Sequence, residues 1–156
     1  METVNKTIST QQLIPFMQEL LSQGKNVSFT VTGNSMAPFL VGLRDSAVVC
    51  PVKSPLKKGD IVFYRRRNGD YVMHRIYRIK NDKYYTVGDA QTEVEGPLDE
   101  EQIFGVINEE IRKGKKVKNG DPLWNLFKFI WLALRPVRRS ILRLYGLLKG
   151  IKRRIS

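Results

Sequence analysis

Residues 61–80 read IVFYRRRNGDYVMHRIYRIK, and this stretch decides the fold class. Two runs rich in β-branched and aromatic residues, 61–67 and 71–80, flank the pair Asn68-Gly69. An Asn-Gly pair supplies two residues tolerant of positive φ, as a two-residue type I′ hairpin turn requires. The spacing predicts an antiparallel hairpin in which Arg67 faces Asp70 and Phe63 faces His74. Upstream, Val27, Phe29 and Val31 alternate with Ser28, Thr30 and Thr32, a period-two pattern, and residues 47–52 form a more buried run containing Cys50. Downstream, Asn81-Asp82 marks a turn, and residues 84–87 and 102–111 read as further strands. Ahead of them all, Leu13, Ile14, Phe16, Met17, Leu20 and Leu21 recur at helical spacing, with Ser9 or Thr10 to cap the helix and Gly24 to end it. The body is therefore expected to be mostly β with an N-terminal helix.

Charge divides the chain. Of 156 residues with a formal net charge of +12, residues 1–111 carry 13 basic and 14 acidic side chains, a net of −1. Residues 112–156 carry 14 basic side chains and one acidic, Asp121, a net of +13. A uniformly basic, nucleic-acid-coating surface is thus disfavoured, and nucleic acid is an unlikely partner. One cysteine and one histidine exclude an intramolecular disulfide framework and a multi-cysteine zinc site, and no metal or cofactor is expected. Four segments follow: an amphipathic helix in residues 1–25, a β domain in 26–111, a basic linker in 112–121 and an amphipathic basic tail in 122–156.

The tail places apolar residues at three- and four-residue steps from Leu123, with Pro136 expected to split it into two helices. Its most apolar stretch, residues 123–134, is too short to span a bilayer, which takes about 20 apolar residues. An in-plane helix suits the pattern better, with Trp124, Phe127, Phe129 and Trp131 at the interface and Arg135, Arg138 and Arg139 meeting anionic head groups. The alternative is a helix packed on its own body or on a partner, or a basic arm binding nucleic acid.

Three stretches could carry chemistry: Gly33-Asn34-Ser35-Met36-Ala37-Pro38, then His74-Arg75-Ile76, then Gly88-Asp89-Ala90. A hydroxyl at a bend beside Gly and Pro is presented as a nucleophile must be, with backbone donors near a developing oxyanion. The same pattern also describes a plain turn. His74 falls on the apolar face of its strand, where it is either a satisfied core residue or a general base, and Asp89 is a turn residue or a third member orienting the imidazole.

Taken together these stretches resemble the signal peptidase I family, of the endoplasmic-reticulum and archaeal type, within the signal peptidase/LexA-type serine protease superfamily. Ser35-Met36-Ala37-Pro38 is similar to the Ser-Met-x-Pro nucleophile box, Gly59-Asp60-Ile61-Val62 to the Gly-Asp start of the following strand, His74-Arg75-Ile76 to the His-Arg box and Gly88-Asp89-Ala90 to the Gly-Asp-Asn box. The boxes stand in family order over residues 27–107. The resemblance implies a compact, coiled β-barrel-like domain, with Ser35 as nucleophile, His74 as base in place of the bacterial Lys, and Asp89 in support. Gly33, Asn34, Met36 and Pro38 would shape the site and the oxyanion hole. Glu93 and Glu95 stand where the family often has a further Asp and are alternative third members. Gly33 replaces a serine that helps bind the oxyanion in many bacterial relatives, and the apolar-basic C-terminal tail is the expected replacement for the family's N-terminal anchor.

The implied activity is endoproteolysis of a peptide or protein precursor, with leader or signal segments as substrates and an anionic membrane surface as the second partner. A basic tail favours the cytoplasmic face, whereas conventional signal peptidases cut on the opposite one. Three other readings compete: a nucleic-acid-binding protein acting through its tail, a non-catalytic peptide-binding module of the same fold, and a LexA-type self-cleaving regulator. The last uses a Lys base and carries a DNA-binding domain, for which 34 residues ahead of Ser35 leave little room.

Overall fold

A computed structural model describes residues 10–155, with side chains from residue 13 to residue 148. Helix α1 (Thr10–Ser22) precedes β1 (Val27–Thr30), β2 (Ser46–Cys50), β3 (Ile61–Arg65), β4 (Tyr71–Lys80), β5 (Lys83–Val87), β6 (Glu95–Leu98), β7 (Ile103–Arg112) and β8 (Lys115–Lys118). The strands form one antiparallel sheet in the order β1-β2-β7-β3-β4-β5-β6, with β8 added to β7. The chain is therefore mostly β with helices at both ends, as its patterning implies.

The predicted hairpin forms, but its register is shifted by one residue. Val62, not Phe63, faces His74, and Arg65 faces Tyr71. Only Gly69 takes positive φ at this turn, while the Asn68 side chain accepts the Asp70 N–H at 3.1 Å. The Gly69 N–H bonds to the Arg66 carbonyl at 3.0 Å, which makes a three-residue loop with a glycine bulge. Two-residue turns with positive φ at both positions occur instead at Asn81-Asp82 and at Lys113-Gly114. The second of these overturns the basic linker expected over 112–121. Lys115–Lys118 is a strand paired with β7, and Lys116 and Lys118 reach Glu109 across the pair.

β3 is covered on both faces, which is why its first four residues are buried without alternation. Ile61 and Phe63 join a core with Ile14, Met17 and Leu21 of α1, Met36, Phe39 and Leu40 of the following loop, and β2 and β7. Val62 and Tyr64 join a second core with Ile76, Tyr84, Leu98 and Ile103. The α1 stripe is as predicted except at Phe16, which is exposed. The Gly24 N–H caps Leu21 and Lys25 caps Leu20, ending the helix with Gly24 at positive φ. The cap expected at Ser9 or Thr10 lies outside the described side chains.

The C-terminal segment is helical in pieces: α2 (Pro122–Asn125), a π-helical stretch at Leu126–Trp131, a 3₁₀ turn at Arg135–Val137 that holds Pro136, and α3 (Arg138–Ile155). Pro136 divides it as the sequence predicts. The membrane role expected of its aromatic residues meets a correction. Trp124 is fully buried, with its ring 5.2 Å from Phe39, and Phe127 is buried 4.9 Å from the same ring and 5.7 Å from Trp131. Each such ring has on the order of 200 Å² to hide, and Phe39 offers it a socket on the body. Arg138 is fully buried as well. Phe129, 63% exposed, and Arg139 remain on the surface. No described helix is long and apolar enough to cross a membrane.

Candidate active site

Ser35 follows β1 in a loop whose course is set by hydrogen bonds rather than by regular structure. The Asn34 side chain accepts the Gly42 N–H at 3.0 Å, and the Ala37 N–H bonds to the Asn34 carbonyl at 3.1 Å. Buried Asp45 closes the base of the loop: its carboxylate takes the Val41 N–H at 2.9 Å, and its carbonyl takes Val31 N–H at 3.0 Å. Met36 is buried in the core beneath, and Ser35 before it is partly exposed. Thr32 and Gly33 stay exposed beside it. Gly33 has nothing within 4 Å of the place a Cβ would occupy, so it leaves open the space where a serine would stand.

Ser35 and His74 line the same cleft, of about 350 Å³, together with Val31, Met36, Phe63, Arg66 and Gln91. His74 comes from the middle of β4, opposite Val62, and is 1% exposed. Its Nε2 is buried and has no hydrogen-bond partner, so the Ser35 hydroxyl is not bonded to it in this conformation. Burial pushes the imidazole down to about 4, against a smaller opposing effect from Glu95. The ring is neutral at pH 7, the form a general base needs.

Three acids were candidates to stand behind His74, and the structure separates them. Glu95, on β6, lies 3.6 Å from His74 Nδ1. Burial works to raise its carboxyl, but hydrogen bonds from Arg66 and Tyr64 outweigh this and hold it below the usual range. Asp89 is fully buried and is engaged elsewhere, with Arg75 Nε and Nη2 bonding to its two oxygens at 3.1 and 2.8 Å. The histidine box and the Gly-Asp box thus meet through Arg75 and Asp89, not through His74 and Asp89. Arg75 also reaches the Gly59 carbonyl at 3.0 Å, tying in the preceding box. Glu93 is exposed and pairs with Arg139.

Sequence reasoning missed Tyr64, which connects Glu95 to the histidine. Its hydroxyl lies 2.8 Å from Glu95 Oε2, 3.0 Å from Thr86 Oγ1 and 3.2 Å from His74 Nδ1. Glu95 as a carboxylate only accepts, so Tyr64 spends its one proton there and its oxygen accepts from Nδ1–H. That tautomer leaves Nε2 without a proton and ready to take one. Arg66 holds the far side of Glu95, with Nε at 2.9 Å from Oε2. The signal for Tyr64 was its place on β3, two residues from Val62; the one-residue error in hairpin register hid its alignment with the histidine.

A family model described as Peptidase S24-like matches residues 2–105, which include every residue of this cleft. No curated protein matches the chain.

Proposed function

The chain belongs to the peptidase S24-like family. From the Ser35 and His74 boxes we propose that it is a serine endopeptidase of signal peptidase type that cleaves leader or signal segments of precursors. The observation that carries the reading is the shared cleft: Ser35 and His74 line one cavity, the His74 Nε2 is without a hydrogen-bond partner, and Tyr64 and Glu95 stand beside Nδ1. Ser35 Oγ attacks the scissile carbonyl while His74 Nε2 takes its proton, and Glu95 favours the imidazolium that forms. The proton passes to the leaving amine, and an acyl-enzyme remains on Ser35. Water then attacks the acyl carbon, giving its proton to Nε2, which returns it to Ser35 as the acid product leaves. The Ser35 N–H, on the bend, serves the oxyanion.

The enzyme works at an anionic membrane surface. From Arg143 to Leu148 α3 is exposed, with Leu144, Tyr145, Leu147 and Leu148 bare among basic residues. Such a helix is suited to lie in the interface plane. A self-cleaving regulator finds less support, because α1 is sunk in the same core as the Ser35 loop and belongs to the peptidase body. Co-expression with candidate precursors, read by mass spectrometry, tests the reading: wild type releases a shortened product, and Ser35→Ala and His74→Ala release none. Equal processing by wild type and His74→Ala overturns the dyad, and equal processing by wild type and Ser35→Ala leaves a non-catalytic peptide-binding module.

A further inference from the structure

The turn Gly88–Thr92 forms one wall of the cleft through Gln91 and touches Ser35 directly, its Ala90 N–H bonding to the Ser35 carbonyl at 2.9 Å. The approach is so close that a Cβ on Gly88 would lie 2.5 Å from that carbonyl oxygen, which explains the glycine. The other side of the turn presents carbonyls, and the C-terminal segment takes four of them. Arg138 Nη1 bonds to Gly88 O at 2.8 Å and to Gln91 O at 2.7 Å. Trp131 Nε1 bonds to Asp89 O at 2.8 Å, and Arg135 Nη1 to Thr92 O at 2.6 Å. Arg138 Nη2 closes back on Trp131 O at 2.9 Å. Farther along, Lys128 lies across Gly59 and pairs with Asp60 at 3.2 Å.

We infer that Trp131 and Arg138 are positioning residues for the nucleophile: the C-terminal segment clamps the Gly88–Thr92 turn, and the turn holds Ser35 in place. This rests on the reading of Ser35 as the nucleophile, and it makes the segment a working part of the active site as well as the carrier of the surface helix. Besides the bond from the Gln91 N–H to the Gly88 carbonyl at 3.0 Å, those from Trp131, Arg135 and Arg138 are the hydrogen bonds that the carbonyls of the turn accept among the described residues. Burying a guanidinium among carbonyls is costly unless its donors are used, and Arg138 alone makes three bonds to carbonyls. Displacing a nucleophile by about 1 Å costs on the order of 100-fold in rate.

The test uses the full chain without lipid, with two mild variants. Trp131→Phe keeps a ring against Phe127 and removes one donor; Arg138→Lys keeps the charge and loses the fork. Two readouts are taken well below the melting temperature: amide exchange at Ala90 against Ile107 in β7, and kcat and KM on a soluble quenched-fluorescent peptide with alanine before the cut. The expected result is Ala90 exchange faster by about 10-fold or more with Ile107 unchanged, and kcat lower by about 10- to 100-fold with KM changed less than about 2-fold. Unchanged Ala90 exchange in both variants, or unchanged kcat, overturns the inference. Wild type that cuts no faster than Ser35→Ala sinks the peptidase reading instead, and the Ala90 exchange then decides by itself whether the segment clamps the turn. Trp131→Phe settles the matter if Arg138→Lys fails to fold.

Discussion

The Tyr64 hydroxyl lies 3.2 Å from His74 Nδ1 and gives its proton to Glu95 2.8 Å away, so one phenol sets the tautomer of the only histidine. Tyr64→Phe keeps the ring in the second core and removes the oxygen that accepts Nδ1–H. The expected result is a fall in kcat of about 10- to 100-fold, no more than the bottom of the roughly 10²- to 10⁴-fold carried by a general base. Thr86→Val, which removes only an outer bond to the same oxygen, should cost less. Peptide cleavage by the two variants under one set of conditions checks the order; equal rates for Tyr64→Phe and wild type would remove Tyr64 from the site.

Because burial holds His74 at about 4, the base is already neutral at pH 5. The acid limb of kcat/KM should therefore fall near pH 4 and not near the ordinary imidazole value of about 6.5. Glu95 opposes the effect of burial, so Glu95→Gln should move the limb lower still and reduce kcat, since the imidazolium loses its nearby charge. A pH–rate profile from 3.5 to about 8 reads both. A limb that stays at about 6.5 in the wild type would place the histidine in water, contrary to its burial.

Asp89 should behave differently from Glu95. Its pair with Arg75 has both side chains fully buried, and removing one partner leaves a charge without its counter-ion. Asp89→Asn is expected to cost about 3–5 kcal/mol of stability. Chemical denaturation measures it, and a change below about 1 kcal/mol would show that the pair is not the structural tie described.

What the sequence made legible follows from range. Period-two runs, the α1 stripe and Pro136 are local signals, and they mark the elements well. Ser35 and His74 were legible because each stands in a short box, and the boxes keep an order. Behind His74 the sequence offered Glu95 only as one of three acids and Tyr64 not at all, because Tyr64 and Glu95 are 31 positions apart and meet only when β3, β4, β5 and β6 are in register. A single-residue slip at Asn68-Gly69 was enough to put Tyr64 on the wrong face of the hairpin. The tail misled for another reason. Trp124 and Phe127 suit an interface or an aromatic socket equally well by composition, and only the position of Phe39 decides for the socket.

Glu110 gives stability a second pH dependence, opposite to that of His74. It is fully buried on β7, neither carboxyl oxygen has a partner among the described residues, and burial raises it to about 7. A group raised on folding contributes fully below its unfolded value, about 4.5, and its contribution is lost as pH rises through 7. His74 is lowered on folding, so its penalty is removed as pH rises from about 4 to 6.5. The two slopes oppose each other between pH 4.5 and 6.5. Glu110→Gln removes one slope. Its stability should rise with pH up to about 6.5 by as much as ~3 kcal/mol, and it should exceed wild type above pH 7. Denaturation midpoints at three pH values check this; a variant less stable than wild type at pH 8 contradicts it.

The surface reading needs a variant that leaves the core alone. Removing everything after residue 120 would strip out Trp124 and Phe127, and losing such a buried ring costs about 3–5 kcal/mol in its own right. Leu144→Glu with Leu147→Glu changes only exposed positions of α3, 58% and 66% exposed, and adds two negative charges to a face that has none. Wild type should float with vesicles containing anionic lipid and detach as salt rises, because each Lys or Arg near the surface contributes about 1 kcal/mol and is screened beyond a Debye length. The double variant loses both the apolar contact and part of the attraction, so it should stay with the soluble fraction while its circular dichroism still reports a β-rich body. Equal flotation of the two proteins would assign the exposed apolar face of α3 to something other than a membrane.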